Sequence, residues 1–158
     1  MEVRIVIFPE TRVAAIEHRG APSSEHDAVR KLIAWKLERK LVDAAKYRSY
    51  GIHYTDPRTT PPSRHRVDFC LSVASEVGPN SYGIVNKVIP QCRCAFARDI
   101  GSRHDNKAAV YLYENWLPRS GEVLGDFPIF FHYVNVGPSV REEVMITDVY
   151  LPLKWDSE

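Results

Sequence analysis

The stretch Arg12-Val13-Ala14, running through His18-Arg19 to Gly20, decides the fold, because Arg93-Cys94-Ala95 opens a run that ends on Gly101 and repeats its spacing 81 positions later. Trp35 and Trp116 keep that separation. Further along, His53-Tyr54 with Asp56-Pro57 is echoed by His132-Tyr133 with Gly137-Pro138 at an offset of 79, and Val67-Asp68-Phe69-Cys70-Leu71 by Thr147-Asp148-Val149-Tyr150-Leu151 at 80. Four short echoes in one order point to a duplicated unit. Duplication implies a pseudo-twofold axis, and a groove along such an axis lets both halves direct side chains at one ligand.

Each half reads strand, strand, helix, strand, strand. Val3 to Ile7 and Arg12 to His18 alternate or are β-branched around Phe8-Pro9-Glu10. Ser24 and Asp27 open an amphipathic helix carrying Val29, Leu32, Ile33, Leu37 and Leu41, expected to run to about Lys46. Strands follow at Ser49–Tyr54 and Val67–Ala74, separated by a loop holding Pro57, Pro61 and Pro62. The second half offers Ile84–Ile89, Cys92–Ile100, a helix opened by Ser102 and Asp105, and strands near Ile129–Asn135 and Val144–Leu153. The expectation is a single α+β domain over residues 1–158, with repeat one at about 1–74, a linker at about 75–83 carrying Gly78-Pro79-Asn80, and repeat two at about 84–153. Two pseudo-twofold-related repeats would form a sheet groove backed by two helices.

Composition narrows the function classes. The 21 Lys and Arg nearly cancel the 20 Asp and Glu, and no basic block interleaved with aromatics tracks a phosphate backbone, so direct nucleic-acid binding is not expected. No apolar run reaches the length of a membrane span, and the opening residues do not form a signal-peptide core. Three cysteines fit a reducing compartment, and the reading is a cytoplasmic protein.

Taken together, Arg12-Val13-Ala14 to His18-Arg19-Gly20, Gly51-Ile52-His53-Tyr54-Thr55-Asp56-Pro57, Thr60-Pro61-Pro62, Trp116-Leu117-Pro118 and Thr147-Asp148-Val149-Tyr150-Leu151-Pro152-Leu153 resemble the GyrI-like small-molecule-binding domain, the effector-binding domain of bacterial AraC- and MerR-type multidrug regulators. The resemblance spans nearly the whole chain. It implies paired strand-helix-strand-strand units whose sheets hold flat, aromatic, often cationic molecules. Such domains occur fused to DNA-binding modules or alone, as drug-sequestering or gyrase-protecting proteins, and some stand-alone relatives hydrolyse electrophilic natural products. With the domain spanning nearly the whole sequence, no helix-turn-helix module is expected beside it, and a transcription factor is not the expected role. Where the family carries a glutamate two residues before the tyrosine matching Tyr133, this chain has Phe131. A phenyl ring offers apolar and quadrupole contact where a carboxylate would hold a cation or activate water.

Residues two apart in a strand share a face, so Phe131 with Tyr133, and Ile52 with Tyr54, are expected to converge on the groove, with Tyr150 as a further stacking and orienting phenol. Phe131, Tyr133, Tyr54, Tyr150 and Ile52 are the candidate ligand-binding residues, and no catalytic or metal-ligating set is assigned. Asp68 and Asp148 are expected to be held by backbone or arginine hydrogen bonds, with Arg66 the nearest arginine to Asp68, while Glu17 and Glu114 read as solvated or salt-bridged. His53 and His132 lack companions at ligand spacing, Cys92 and Cys94 read as apolar fillers, and Trp35 and Trp116 as core. The reading is a protein that sequesters or senses an aromatic or amphipathic xenobiotic or metabolite without a cofactor. A hydrolase of electrophilic natural products and a gyrase-interacting protein are the alternatives.

Overall fold

The computed structural model describes residues 1–155. Its strands are β1 (Arg4–Phe8), β2 (Thr11–Arg19), β3 (Ser49–His53), β4 (Arg66–Ser72), β5 (Val85–Ile89), β6 (Cys92–Ile100), β7 (Phe130–Tyr133) and β8 (Ile146–Leu153). Helix α1 (Glu25–Glu38) lies between β2 and β3. Between β6 and β7 the chain forms α2 (Lys107–Tyr111), one widened π-type stretch (Leu112–Trp116) and α3 (Leu117–Ser120). The class is α+β with antiparallel pairing, and the element order recurs between the halves as the echoes require.

The compact units do not follow the order of the chain. One comprises residues 11–89, and the other residues 1–10 with 90–158. In the first unit β2 pairs with β4 and β5, and β3 with β4. In the second, β6 pairs with β1 and β8, and β7 with β8. The opening strand of each sequence repeat is thus built into the unit formed by the rest of the other repeat. The 75–83 segment belongs to the first unit and is tied down there. Asn80 Oδ1 accepts from the amides of Tyr82 and Ile84, and Asn80 Nδ2 donates to Gly78 O and Ile84 O.

In the first unit Ala28, Leu32 and Trp35, spaced as one helical stripe, pack on Ala14, Ile16 and Leu71 of the sheet. Helix α1 ends at Glu38, short of the expected Lys46. Lys40 takes the left-handed conformation (φ 58°), its amide donates to Leu37 O and the Leu41 amide to Lys36 O, which is a Schellman closure with apolar Leu41 packed back on the core. A lysine in place of the usual glycine hid this stop from the sequence. In the second unit Ala108 and Leu112 pack on Ala95, Ala97, Val149 and Leu151. The helix opens at Asn106, not at Ser102 or Asp105. The Asn106 side chain accepts from the Ala109 amide at 3.0 Å, and buried Asp99 accepts from the Lys107 amide at 3.1 Å. The π-type stretch lies just before Pro118, whose ring nitrogen supplies no helical hydrogen bond.

The repeated glycines have the same task. Gly20 (φ 124°) donates to His65 O at 2.9 Å, and Gly101 (φ 131°) to Met145 O at 2.8 Å, in a backbone region that suits glycine. No helix among the described residues is long and apolar enough to cross a membrane.

Candidate functional site

Within each unit the helix packs on one face of the paired strands and not on the other, and alternation along the strands sorts the candidate residues between those faces. In the first unit Ile52 pairs with Asp68, and Glu17 also pairs with Asp68, so all three point away from α1. Lys87 pairs with Val13 on this same face. Tyr54 follows the end of β3, and its amide donates to Arg66 O at 3.1 Å.

These residues form one connected group. Asp68 is 0% exposed and accepts from the Tyr54 hydroxyl at 2.6 Å, Lys87 Nζ at 2.6 Å and Arg19 Nη1 at 3.2 Å. Glu17 accepts from Lys87 Nζ at 2.7 Å and Arg19 Nη2 at 3.1 Å. A carboxylate with no exposed surface requires such donors, since an unpaired buried charge is costly. Arg66, expected beside Asp68, instead holds its guanidinium 4.8 Å from the Tyr54 ring centroid. Ile52, 1% exposed, lies next to Asp68 as buried apolar floor. Burial first, and then the bond to Asp68, push the Tyr54 phenol up to about 12. Burial alone would lower Lys87, but the bonds to Asp68 and Glu17 outweigh it and raise its pKa. At neutral pH both keep their protons, so neither serves as a general base.

The second unit carries an aromatic cluster on its helix-free face. Tyr150 stacks on Phe130 (centroids 5.1 Å apart, planes 9° apart), meets Phe8 edge-on at 5.1 Å and lies 5.3 Å from Phe96. On the same face Asp148 is held by Arg98 through two bonds of 2.7 and 3.1 Å, the arginine hold expected for it. Phe131 and Tyr133 are elsewhere. They pair with Val149 and Thr147, which puts them on the face carrying the helix, where they contact each other edge-on at 6.5 Å and Phe131 packs against the core. Half-buried Arg103 lies 5.2 Å over the Tyr133 ring and donates to Thr147, Asn135 O and Ile146 O.

The expected convergence of Phe131, Tyr133 and Tyr150 on one face is therefore corrected within this unit, and the reason is a register slip of one residue. Ile52 opposes Asp68, and His132 opposes Asp148. The Tyr54 amide bonds Arg66 O, and the Val134 amide bonds Ile146 O. Tyr54 therefore corresponds to Val134 at an offset of 80, and His53, not Tyr54, corresponds to Tyr133. Because side chains alternate, a one-residue slip exchanges the faces. Sequence reasoning missed Lys87, Arg19, Phe8, Phe96 and Phe130. Lys87 reaches Glu17 across 70 positions, and no local pattern signals that.

Of the three cavities described, two lie on other residues and the third shares Glu17 and Arg19 with the cluster. One of about 230 Å³ includes Trp35, Arg39, Leu41 and Tyr47, one of about 500 Å³ includes Cys92, Phe127, Leu153 and Trp155, and one of about 430 Å³ includes Glu17, Arg19, Lys31 and Tyr82. Trp35 is 3% exposed, and its indole nitrogen has no hydrogen-bond partner among the described residues. The thiols of Cys92 and Cys94 lie 3.5 Å apart, unoxidised and buried. Among the described residues no group of three or more His, Cys, Asp or Glu is placed to hold a metal ion.

Comparison with known proteins bears on the whole chain. A protein named "Probable transcriptional regulator YgiV" from Escherichia coli K12 is 37% identical over 154 residues, covering 97% of this chain and 96% of its own. A "DNA gyrase inhibitor" from Erwinia billingiae is 24% identical over 159 residues, with 97% of each chain covered. The solved C-terminal domain of EcmrR superposes with a TM-score of 0.75 at 15% identity, covering 97% of both chains. EcmrR in a DNA complex matches over 57% of its chain. The family model of the GyrI-like small molecule binding domain matches residues 1–154, and this chain belongs to that family.

Proposed function

We propose that the domain binds a small aromatic or amphipathic molecule and sequesters or senses it, with the Tyr54 cluster as a ligand seat. One observation carries this. Tyr54 is half-exposed on the face that also carries buried Ile52, and its hydroxyl is anchored to Asp68, which fixes the orientation of its ring. Tyr150, half-exposed among Phe8, Phe96 and Phe130, offers a second aromatic surface in its own unit. Phe131 and Tyr133 serve the helix side in this reading, as packing and as the support for Arg103.

Binding without turnover fits the protonation of the cluster, since Tyr54 and Lys87 hold their protons and the acids are engaged by cations. The near-zero net charge supports a domain that does not itself grip nucleic acid. The three unpaired cysteines fit the cytoplasm. Displacement of an environment-sensitive fluorescent dye by a panel of aromatic compounds tests the reading. Wild type should bind, Tyr54→Ala should weaken binding, and product should not accumulate when ligand exceeds protein. Catalytic product would establish the hydrolase alternative. Inhibition of gyrase supercoiling without any dye binding would establish the protein-partner alternative suggested by the Erwinia relative.

A further inference from the structure

Three of the protein's own cations surround the Tyr54 ring. The guanidinium of Arg66 lies 4.8 Å from the ring centroid, that of Arg19 5.7 Å, and the ammonium of Lys87 5.8 Å. Lys87 also bridges both carboxylates of the cluster, at 2.6 Å from Asp68 and 2.7 Å from Glu17. A position between two carboxylates and beside an aromatic ring is what the charged group of a cationic aromatic ligand would seek. Here the chain itself fills that position. The count of charges is three positive against two negative, so the rim of the seat is left with an excess positive charge.

We propose that Lys87 and Arg66 are specificity-determining residues that turn this seat away from cationic ligands and toward anionic aromatics, molecules with a flat apolar body and a carboxylate, sulfonate or phenolate group. The inference rests on the Tyr54 cluster being a ligand seat. An incoming cation would have to displace Lys87 from two carboxylates at once, whereas an anion meets Lys87 and Arg66, which are 26% exposed at the side chain and exposed, respectively. Arg19 stays tied to Glu17 and Asp68 and holds the acids in place when Lys87 is removed.

Tetraphenylborate and tetraphenylphosphonium, matched in shape and opposite in charge, are the probes, and each is titrated calorimetrically into wild type, Lys87→Met and Arg66→Met. Wild type is expected to bind the borate more tightly. Each substitution should lower the borate-to-phosphonium affinity ratio by about threefold to tenfold, the range for loss of one partly solvated charge interaction. Because the comparison is of ratios between variants, intrinsic differences between the two ions cancel. Arg66 is exposed at the start of β4, so that variant decides the matter if Lys87→Met does not fold. A ratio unmoved by the substitutions, or a wild-type preference for the phosphonium, overturns this inference while leaving the seat intact. Binding of neither ion by wild type overturns the seat, and the inference falls with it.

Discussion

Tyr54→Phe removes a single oxygen whose role the geometry isolates. The hydroxyl lies 2.6 Å from Asp68 Oδ2, and Asp68 has no exposed surface through which water could replace the lost donor. A hydrogen bond to a charged group contributes about 1.5–3 kcal/mol, but Asp68 keeps Lys87 and Arg19, so the expected loss is about 1–2 kcal/mol. For a chain of this size each kcal/mol shifts Tm by about 2–4 °C, giving a fall of about 2–8 °C near neutral pH. The sign with pH is also fixed. A phenol whose folded pKa is raised contributes stability that is intact below the ordinary tyrosine range and is lost as pH rises toward about 12, so the variant should converge on wild type in alkali. Calorimetric melts of both proteins between neutral and alkaline pH measure this. A Tm difference below about 1 °C at neutral pH, or one that widens with alkalinity, would refute the argument that the hydroxyl anchors the cluster through Asp68.

Other outcomes follow from the same geometry. Burial, and then neighbouring His65, hold His53 down to about 4. Its stability contribution is therefore present above the ordinary histidine range and lost as pH falls toward 4, and His53→Gln should flatten the acid limb of a Tm-against-pH curve. Gly125 has no room for a methyl group, because a Cβ there would stand 2.8 Å from Leu153 O. Gly125→Ala should cost about 1–3 kcal/mol in chemical denaturation, and a neutral result would contradict that close approach. Phe130→Ala, at a 0% exposed ring stacked on Tyr150, should cost about 3–5 kcal/mol, whereas Phe131→Ala, only partly buried, should cost less. Equal losses on denaturant melts would contradict the difference in burial between the two rings.

The class and the order of elements were legible because strand alternation, paired glycines and helix stripes are local signals, and Gly20 and Gly101 make equivalent backbone bonds, to His65 O and Met145 O, just past the ends of β2 and β6. What escaped was non-local or one residue fine. The exchange of opening strands, with β1 on β6 and β5 on β2, depends on pairings that cross the sequence repeats. Matching Tyr54 to Tyr133 looked natural because both follow a histidine. Bonds around Asp68 and Asp148 instead align Tyr54 with Val134, and that single step moved Phe131 and Tyr133 onto the helix side. Ile52, Tyr54 and Tyr150 were readable as helix-free positions. Lys87, the residue that sets the charge of the Tyr54 cluster, was not, because a lysine in a short strand looks like any solvated one until its partners 19 and 70 positions away are known.

Amide NMR of the isotope-labelled protein during titration with tetraphenylborate shows whether a small molecule sits on the Tyr54 face. Saturable shifts concentrated at Ile52, Tyr54, Asp68 and Lys87 are expected. Saturable shifts confined to the cavity at Trp35 and Tyr47, or to that at Phe127 and Trp155, with the Tyr54 neighbourhood unmoved, would contradict that site.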